Sequence, residues 1–530
     1  MLFTSYEFIA FLALVFVLYY VIPKRFQWPL LLVASYVFYF TSGASNLFYI
    51  VTTTVSTYFL MQQIQKVRDE QEAYLKEHKK EMSREERKEY KAVGKKKMWH
   101  LLLITLFINI GMLAVVKYTN FMIHNVNSVL GWFGSSTTIS FWNIALPMGI
   151  SFYVFQAMGY AIDVYRGKYR AEDNFFKFAL FVSFFPQLIQ GPISRFDALS
   201  QSLFEEHKFD TKNIAFGLQR ILWGFFKKLV IADRLVVAVN TIIGDSNMYS
   251  GAYVFVGMLF YALELYADFT GGIDITIGIA QTFGIKLAEN FIRPFFSKNI
   301  KEYWNRWHIT MGSWFTDYIF YPISVCQPML KLSRFSRAHF GDEIGKRVTV
   351  YLSSFVVWFA TGVWHGASWN FIVWGLANFV VIMVSQEFEP FYRWFHSKVK
   401  VDGTFGWRLF QVVRTVLLMS MIRTFDCYRD VPLTFKMVGT MFTTWNYDIL
   451  WNGALMELGL TATDYLVVIV GALLLLSVSL VQRSGSVREK IAAKPYLVRF
   501  VIWFGLAILV ILWGTYGIGY DASQFIYNQF

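Results

Sequence analysis

Long apolar runs joined by short charged connections leave this chain few folds to choose from. A helix that crosses the hydrocarbon of a bilayer needs about 20 mainly apolar residues. Segments of this kind recur at 7–22, 28–42, 47–63, 99–119, 143–165, 213–242, 251–283, 347–364, 369–387, 408–425, 464–482 and 496–518. Two more, 174–191 and 302–324, are apolar but interrupted by Pro or charge, and they read as short, re-entrant or partly cavity-lining. The expected fold class is all-α: a polytopic membrane protein with roughly 11 to 14 transmembrane or re-entrant helices by the length rule. Composition agrees. The chain is 55% apolar and only 16% charged, against about 25% charged in soluble domains. A water-soluble core has no room for that much apolar surface, whereas a bilayer requires it of helices that satisfy their own backbone. The start, MLFTSYEF, lacks a basic region and no small-residue cleavage site follows, so the first segment is expected to remain as a span.

The net charge of +13 would suit a nucleic-acid binder if the basic residues were clustered on a soluble face. They sit instead in short connections between apolar runs, which is the topology signal of a membrane protein. The longest charged stretch, 64–98, mixes Lys and Arg with Glu at helical spacing and reads as a solvated helical hairpin. Its Lys/Arg excess assigns it to the cytoplasm, together with Lys24–Arg25, Arg166–Arg170, Lys331–Arg347, Arg393–Lys400 and Arg483–Lys494. The uncharged 42–46 and 120–142, and the tail YDASQFIYNQF, are then expected outside, as are both termini. The stretch 427–463 is moderately polar but rich in Phe, Trp, Met and Leu, and reads as an amphipathic segment on the outer face. The expected organisation is a membrane core over 1–425, followed by 426–530 with this segment and two further spans.

Ionisable groups at membrane depth are costly and need a reason. Glu264, Asp268 and Asp274 fall in the otherwise apolar YALELYADFTGGIDIT. Glu264 and Asp268 are four apart and share a helix face, and Gly271-Gly272 lets the backbone loosen or approach another group closely. These acids either line a hydrated cavity or pair with buried Arg or Lys.

Six of the eight histidines, His78, His100, His124, His207, His339 and His396, lie in polar or interfacial positions. Only His308 and His365 sit inside aromatic-rich apolar segments, each beside a Trp. Imidazole is the side chain most readily poised as a base near neutral pH. Neither His has a second ligand at HExxH or i, i+4 spacing, and the two cysteines, Cys326 and Cys427, make no Cys-based site, so no metal is expected. No GxSxG elbow is present. On a straight helix Asp317, nine residues after His308, would face away from it, so a direct dyad requires a break.

Five ordered blocks carry a resemblance. They are LPMGISFYVFQAMGYAIDVYRG at 146–167, FVSFFPQLIQGPISR at 181–195, YADFTGGIDITIGIAQTFGIKLAENFIRPF at 266–295, YWNRWHITMGSWFTDYIFYP at 303–322 and GVWHGASWNFIVWGL at 362–376. In these the chain resembles the membrane-bound O-acyltransferase superfamily, in the bacterial branch of alginate and peptidoglycan O-acetyltransferase membrane subunits. The resemblance implies a helical fold around a central tunnel, with His365 of the WHG block catalytic and His308 of the RWH block a second functional position. It also makes Glu264, Asp268, Asp274, Asn290, Trp304, Arg306, Trp307, Asp317 and Trp364 candidates for lining the substrate path. No bound cofactor is implied. The donor would be acetyl-CoA, and the acceptor an extracytoplasmic glycan or an SGNH-type transferase partner, at the bacterial cytoplasmic membrane. The late block FDCYRD at 425–430 departs from the alginate-type pattern and implies a different acceptor or partner. Two other readings stand beside this one. D-alanyl transfer to teichoic acid belongs to the same branch, whose D-alanyl proteins end soon after the WHG region. A secondary transporter would show inverted repeats and paired broken helices, and neither is visible.

Overall fold

A computed structural model describes residues 3–517. Among them regular structure is helical, and β-type pairing is limited to one antiparallel bridge between Phe291 and Trp307. Among the described residues seven helices are long and apolar enough to cross a membrane: Arg84–Trp132, Ala252–Thr282, Gln327–His365, Trp369–Glu387, Phe405–Tyr428, Ala462–Ser484 and Tyr496–Trp513. The remaining apolar segments fall short for local reasons. Tyr6–Val21, Gln27–Phe40 and Ile150–Arg166 have 16, 14 and 17 residues. The last begins late because Pro147 and a left-handed Gly149 (φ +69°) precede it, and a Cβ on that glycine would lie 2.2 Å from the Leu188 carbonyl oxygen. The 213–242 segment carries Arg220, Lys227, Lys228, Asp233 and Arg234 and runs as Thr211–Phe225, a π-helical turn Phe226–Ala232, and Asp233–Gly244. The interrupted segments are broken, as their Pro and charge pattern implied: Phe175–Ser183 and Phe185–Leu188 in one, and Ile300–Trp304, Ile309–Phe315, a π turn Thr316–Phe320 and Tyr321–Ser324 in the other. The tail expected outside, YDASQFIYNQF, lies outside the described residues.

The chain divides into two compact units, the residues up to Ala215 with Ile279–Leu287, and Phe216–Gly278 with Ala288 onward. In the first, Phe8, Phe38 and Phe185 meet at ring-centroid separations of 5.7 to 6.5 Å in the core. Gln27 clamps the chain at His207 by donating to its carbonyl (2.9 Å) and accepting from its N–H (2.8 Å). Helices Leu47–Glu77 and Arg84–Trp132 are joined by a short turn, and the second opens with a Ser83–Glu86 capping box that satisfies donors at both ends of its first turn. Arg170 pairs with Asp69 at 2.7 Å and holds that exposed carboxyl below its ordinary value.

In the second unit, glycines set a helix crossing. Gly224 and Gly271 face one another, and so do Gly217 and Gly278. A Cβ on Gly224 would lie 2.6 Å from the Gly271 carbonyl oxygen, and one on Gly278 would lie 2.7 Å from that of Gly217. Small residues let backbones touch where lipid offers no hydrophobic driving force. Gly271 therefore supplies close approach but no loosening, because Ala252–Thr282 is one continuous helix. Along the same interface Lys228 bonds Asp268 (2.6 Å) and Asp233 (2.7 Å), Lys227 bonds Asp274 (2.5 Å) and Thr270 (2.8 Å), and Arg220 bonds Asp274 (2.8 Å). The π turn reduces the rotation per residue, which is how consecutive Lys227 and Lys228 both address the neighbouring helix. The two C-terminal spans pack Val468, Leu475 and Leu506 onto Phe226 and Ile231. The segment after 427 is two-faced: Met437 and Met441 pack on Val254 and Met258, while Phe435, Phe442, Trp445 and Trp451 are exposed.

Candidate active site

His308 lies where the 302–324 segment breaks. It caps the Ile309–Phe315 helix in the left-handed conformation (φ +48°, ψ +53°). A non-glycine residue held there costs about 1–3 kcal/mol and needs its surroundings to fix it. Asn290 supplies that fixing. Ile309 N–H donates to the Asn290 carbonyl at 3.0 Å, Ile292 N–H donates to the Arg306 carbonyl at 2.9 Å, and the Phe291–Trp307 bridge lies between them. The Asn290 side chain is fully buried and its Oδ1 accepts from the Thr310 N–H (3.0 Å) and the Thr310 hydroxyl (3.0 Å), with His308 Nδ1 at 3.3 Å. A backbone N–H can only donate, so the amide atom facing it is the oxygen. His308 Nδ1 must then carry the proton, and its Nε2 holds the lone pair.

His365 ends the long Gln327–His365 helix, which is broken at a left-handed Gly341. The chain turns at Gly366 into the Trp369–Glu387 helix. A Cβ on Gly366 would lie 2.1 Å from the Phe371 ring, and one on Gly375 would lie 2.4 Å from the Trp358 carbonyl oxygen. These glycines therefore draw the two helices together directly behind His365.

Both imidazoles lie against the same indole. Trp364 is edge-on to His308 at 6.1 Å and to His365 at 5.0 Å between ring centroids. Phe269 meets His308 edge-on at 5.0 Å, and Trp374 meets His365 at 4.6 Å. The Trp304 ring packs against Trp374 at 5.8 Å and its Nε1 donates to Asn378 (3.2 Å). Trp307 stacks on Tyr303 at 5.6 Å. The structure thus gathers His308, Asn290, Trp307, Trp364, His365 and Trp304 into one aromatic cluster.

The other candidates lie elsewhere. Asp268 is fully buried in its ion pair with Lys228. Asp274, held by Lys227 and Arg220, reaches the wall of a separate cavity. Glu264 is buried one turn before Asp268, in electrostatic range of it and of Lys228. Arg306 turns to Glu302 at 2.5 Å, and Asp317 lies in the π turn. Among the described residues no three His, Cys, Asp or Glu side chains converge as metal ligands.

Sequence reasoning missed Arg423. Its guanidinium lies 4.4 Å over Trp307 and 5.8 Å from the Trp374 ring centre and bonds Asp426 at 3.2 Å, which ties the His308 and His365 sides of the cluster to the Phe405–Tyr428 helix. Asn370 adds a second tie by donating to the Phe425 carbonyl at 3.0 Å. The signal was available: Arg423 is a charge inside an apolar run, the same criterion that singled out Glu264.

Residues 172–335 match the family described as MBOAT, membrane-bound O-acyltransferase. The chain is 31% identical over 422 residues to the probable alginate O-acetylase of Pseudomonas putida, covering 78% of this chain and 77% of that protein. It is 33% identical over 377 residues to the probable alginate O-acetylase of Azotobacter vinelandii, covering 71% of this chain and 66%, just under two thirds, of that protein. It is 31% identical over 327 residues to the peptidoglycan O-acetyltransferase of Helicobacter pylori, covering 57% of this chain and 58% of that protein. With the five ordered blocks and the helical membrane architecture, these similarities establish that the chain belongs to the membrane-bound O-acyltransferase family.

Proposed function

We propose that this protein is a membrane O-acyltransferase that moves an acetyl group from cytoplasmic acetyl-CoA toward O-acetylation of an extracytoplasmic polysaccharide, directly or through a serine of a partner SGNH-type transferase. The observation that carries the reading is that His308 and His365, 57 positions apart by their numbering, pack on the one Trp364 ring. In the proposed step His365 takes the proton of the acceptor hydroxyl as the oxygen attacks the thioester carbonyl. The C–S bond breaks, and the departing thiolate takes up that proton to leave as free CoA. His308 orients the thioester or stabilises its developing charge. Lys298, Lys301 and Arg306 attract the donor's phosphates at the cytoplasmic mouth. The activated donor is cytoplasmic and the glycan is outside, so a passage through the bilayer solves a compartment problem. The 1–425 core, the cytoplasmic 64–98 hairpin, the outward 427–463 segment and both termini outside belong to the same proposal.

The test is transfer of labelled acetyl from acetyl-CoA by the purified protein in vesicles. His365→Ala is expected to abolish acetyl transfer and CoA release while inserting normally. Unchanged turnover in that variant removes the assignment.

A further inference from the structure

A cavity of about 690 Å³ opens beside the two C-terminal spans, and Phe291 on its wall packs against Trp307 at 5.0 Å and His308 at 6.4 Å between ring centroids. Most of its wall is apolar, including Trp223, Leu474, Val478, Trp503, Leu506 and Leu509. Its cations are Arg220, Arg293 and Arg488. Arg220 there is already matched by Asp274 and Glu289. Arg293 is not: among the described residues it forms no ion pair, and its guanidinium rests 4.8 Å over the Phe296 ring. Its neighbours repel it, since burial and then the Arg306 and Arg483 charges pull it below its ordinary value. A guanidinium without an ion-pair partner, its Nε buried and without a hydrogen-bond partner, on the wall of a mostly apolar cavity is matched by an anion.

We propose that this cavity binds one anionic phospholipid, its phosphate on Arg293 and its acyl chain along Trp223, Leu474 and Trp503. A phosphate is also carried by soluble cytoplasmic donors. The apolar wall decides for the lipid: a basic pocket between membrane helices matches a headgroup at one end and a chain along its length. An adenine nucleotide stacks at most on the tryptophans and leaves Leu474, Val478, Leu506 and Leu509 facing its polar sugar and phosphates. This site is separate from the acyl-transfer reading and does not depend on it.

The test is native mass spectrometry of the delipidated, detergent-solubilised full chain, re-incubated with phosphatidylglycerol, with phosphatidylcholine, or with coenzyme A alone. Wild type is expected to retain one phosphatidylglycerol per chain and at least fivefold less phosphatidylcholine. The Arg293→Ala variant is expected to lose that preference. Gly505→Trp is expected to lose lipid altogether, because Gly505 lines the cavity and a Cβ there meets no atom within 4 Å, so the indole fills space without forcing the helix. Near-wild-type melting temperatures would show that both variants fold. Retention unchanged in both variants, or no retention by wild type, overturns the proposal. Arginine-dependent binding of coenzyme A that displaces phosphatidylglycerol assigns the phosphate to a soluble ligand and overturns it as well.

Discussion

Asn290→Ala probes how His308 is held. Asn290 Oδ1 accepts from the Thr310 N–H, the Thr310 hydroxyl and His308 Nδ1. The hydroxyl can rotate toward another acceptor, but the N–H and the imidazole donor cannot. Leaving a buried donor unsatisfied costs about 1–3 kcal/mol, so the two fixed donors together set a loss of about 2–6 kcal/mol before any water enters. The imidazole also loses the contact that selects its tautomer. Loss of one group that stabilises developing charge costs about 10²–10³ in kcat, so kcat for acetyl transfer is expected to fall about 10²-fold or more with a smaller change in KM. Thr310→Val is the comparison. It removes only the hydroxyl donor, leaves the other two bonds on Asn290, and is expected to cost about 1 kcal/mol. Stability is read by reversible unfolding in mixed micelles and rate by labelled acetyl release in vesicles. If Asn290→Ala stays within about 0.5 kcal/mol of wild type and keeps its rate, or if Thr310→Val costs as much, the reasoning about the tautomer clamp is wrong.

Two further perturbations address the scaffold. Lys228→Met takes the shared lysine from Asp268 and Asp233, whose side chains are 1% and 3% exposed; breaking a buried pair from one side costs about 3–5 kcal/mol, and the melting temperature should drop sharply. Gly366→Ala drives a methyl into the Phe371 ring, 2.1 Å away; it is expected to displace His365 and lower kcat, and Gly366→Ala/Phe371→Leu should recover part of the rate if crowding is the cause.

Helices were legible from the apolar runs, because a bilayer enforces backbone self-satisfaction over a fixed length. Their interruptions were legible where Pro or charge falls, as at 174–191 and 302–324. Pairing was less so. Opposite charges in 213–242 and 251–283 gave two readings of the acids, a wet cavity or an ion pair. The choice between partners depends on a register set by Gly217, Gly224, Gly271 and Gly278, glycines that face one another only after folding. The argument that Asp317 must face away from His308 assumed a straight helix. His308 stands outside the Ile309–Phe315 helix in the left-handed conformation and Asp317 falls in the π turn Thr316–Phe320, so 100° per residue holds at neither end of the interval. His308 and His365 stood out by composition around them, but that they share an indole comes from a loop, 290–293, whose pairing with 306–309 has no periodic signal. Arg423 was overlooked because its apolar run was read only for length.

That loop has two ends with different surroundings. Asn290 grips the strained His308, and three residues later Arg293 forms part of the wall of the 690 Å³ cavity. An extended chain gains about 3.3 Å per residue, so the two are joined by about 10 Å of backbone with no hinge glycine between Asn290 and Arg293. The same short tether therefore belongs both to the cavity wall beside the last two helices and to the clamp that aims the imidazole.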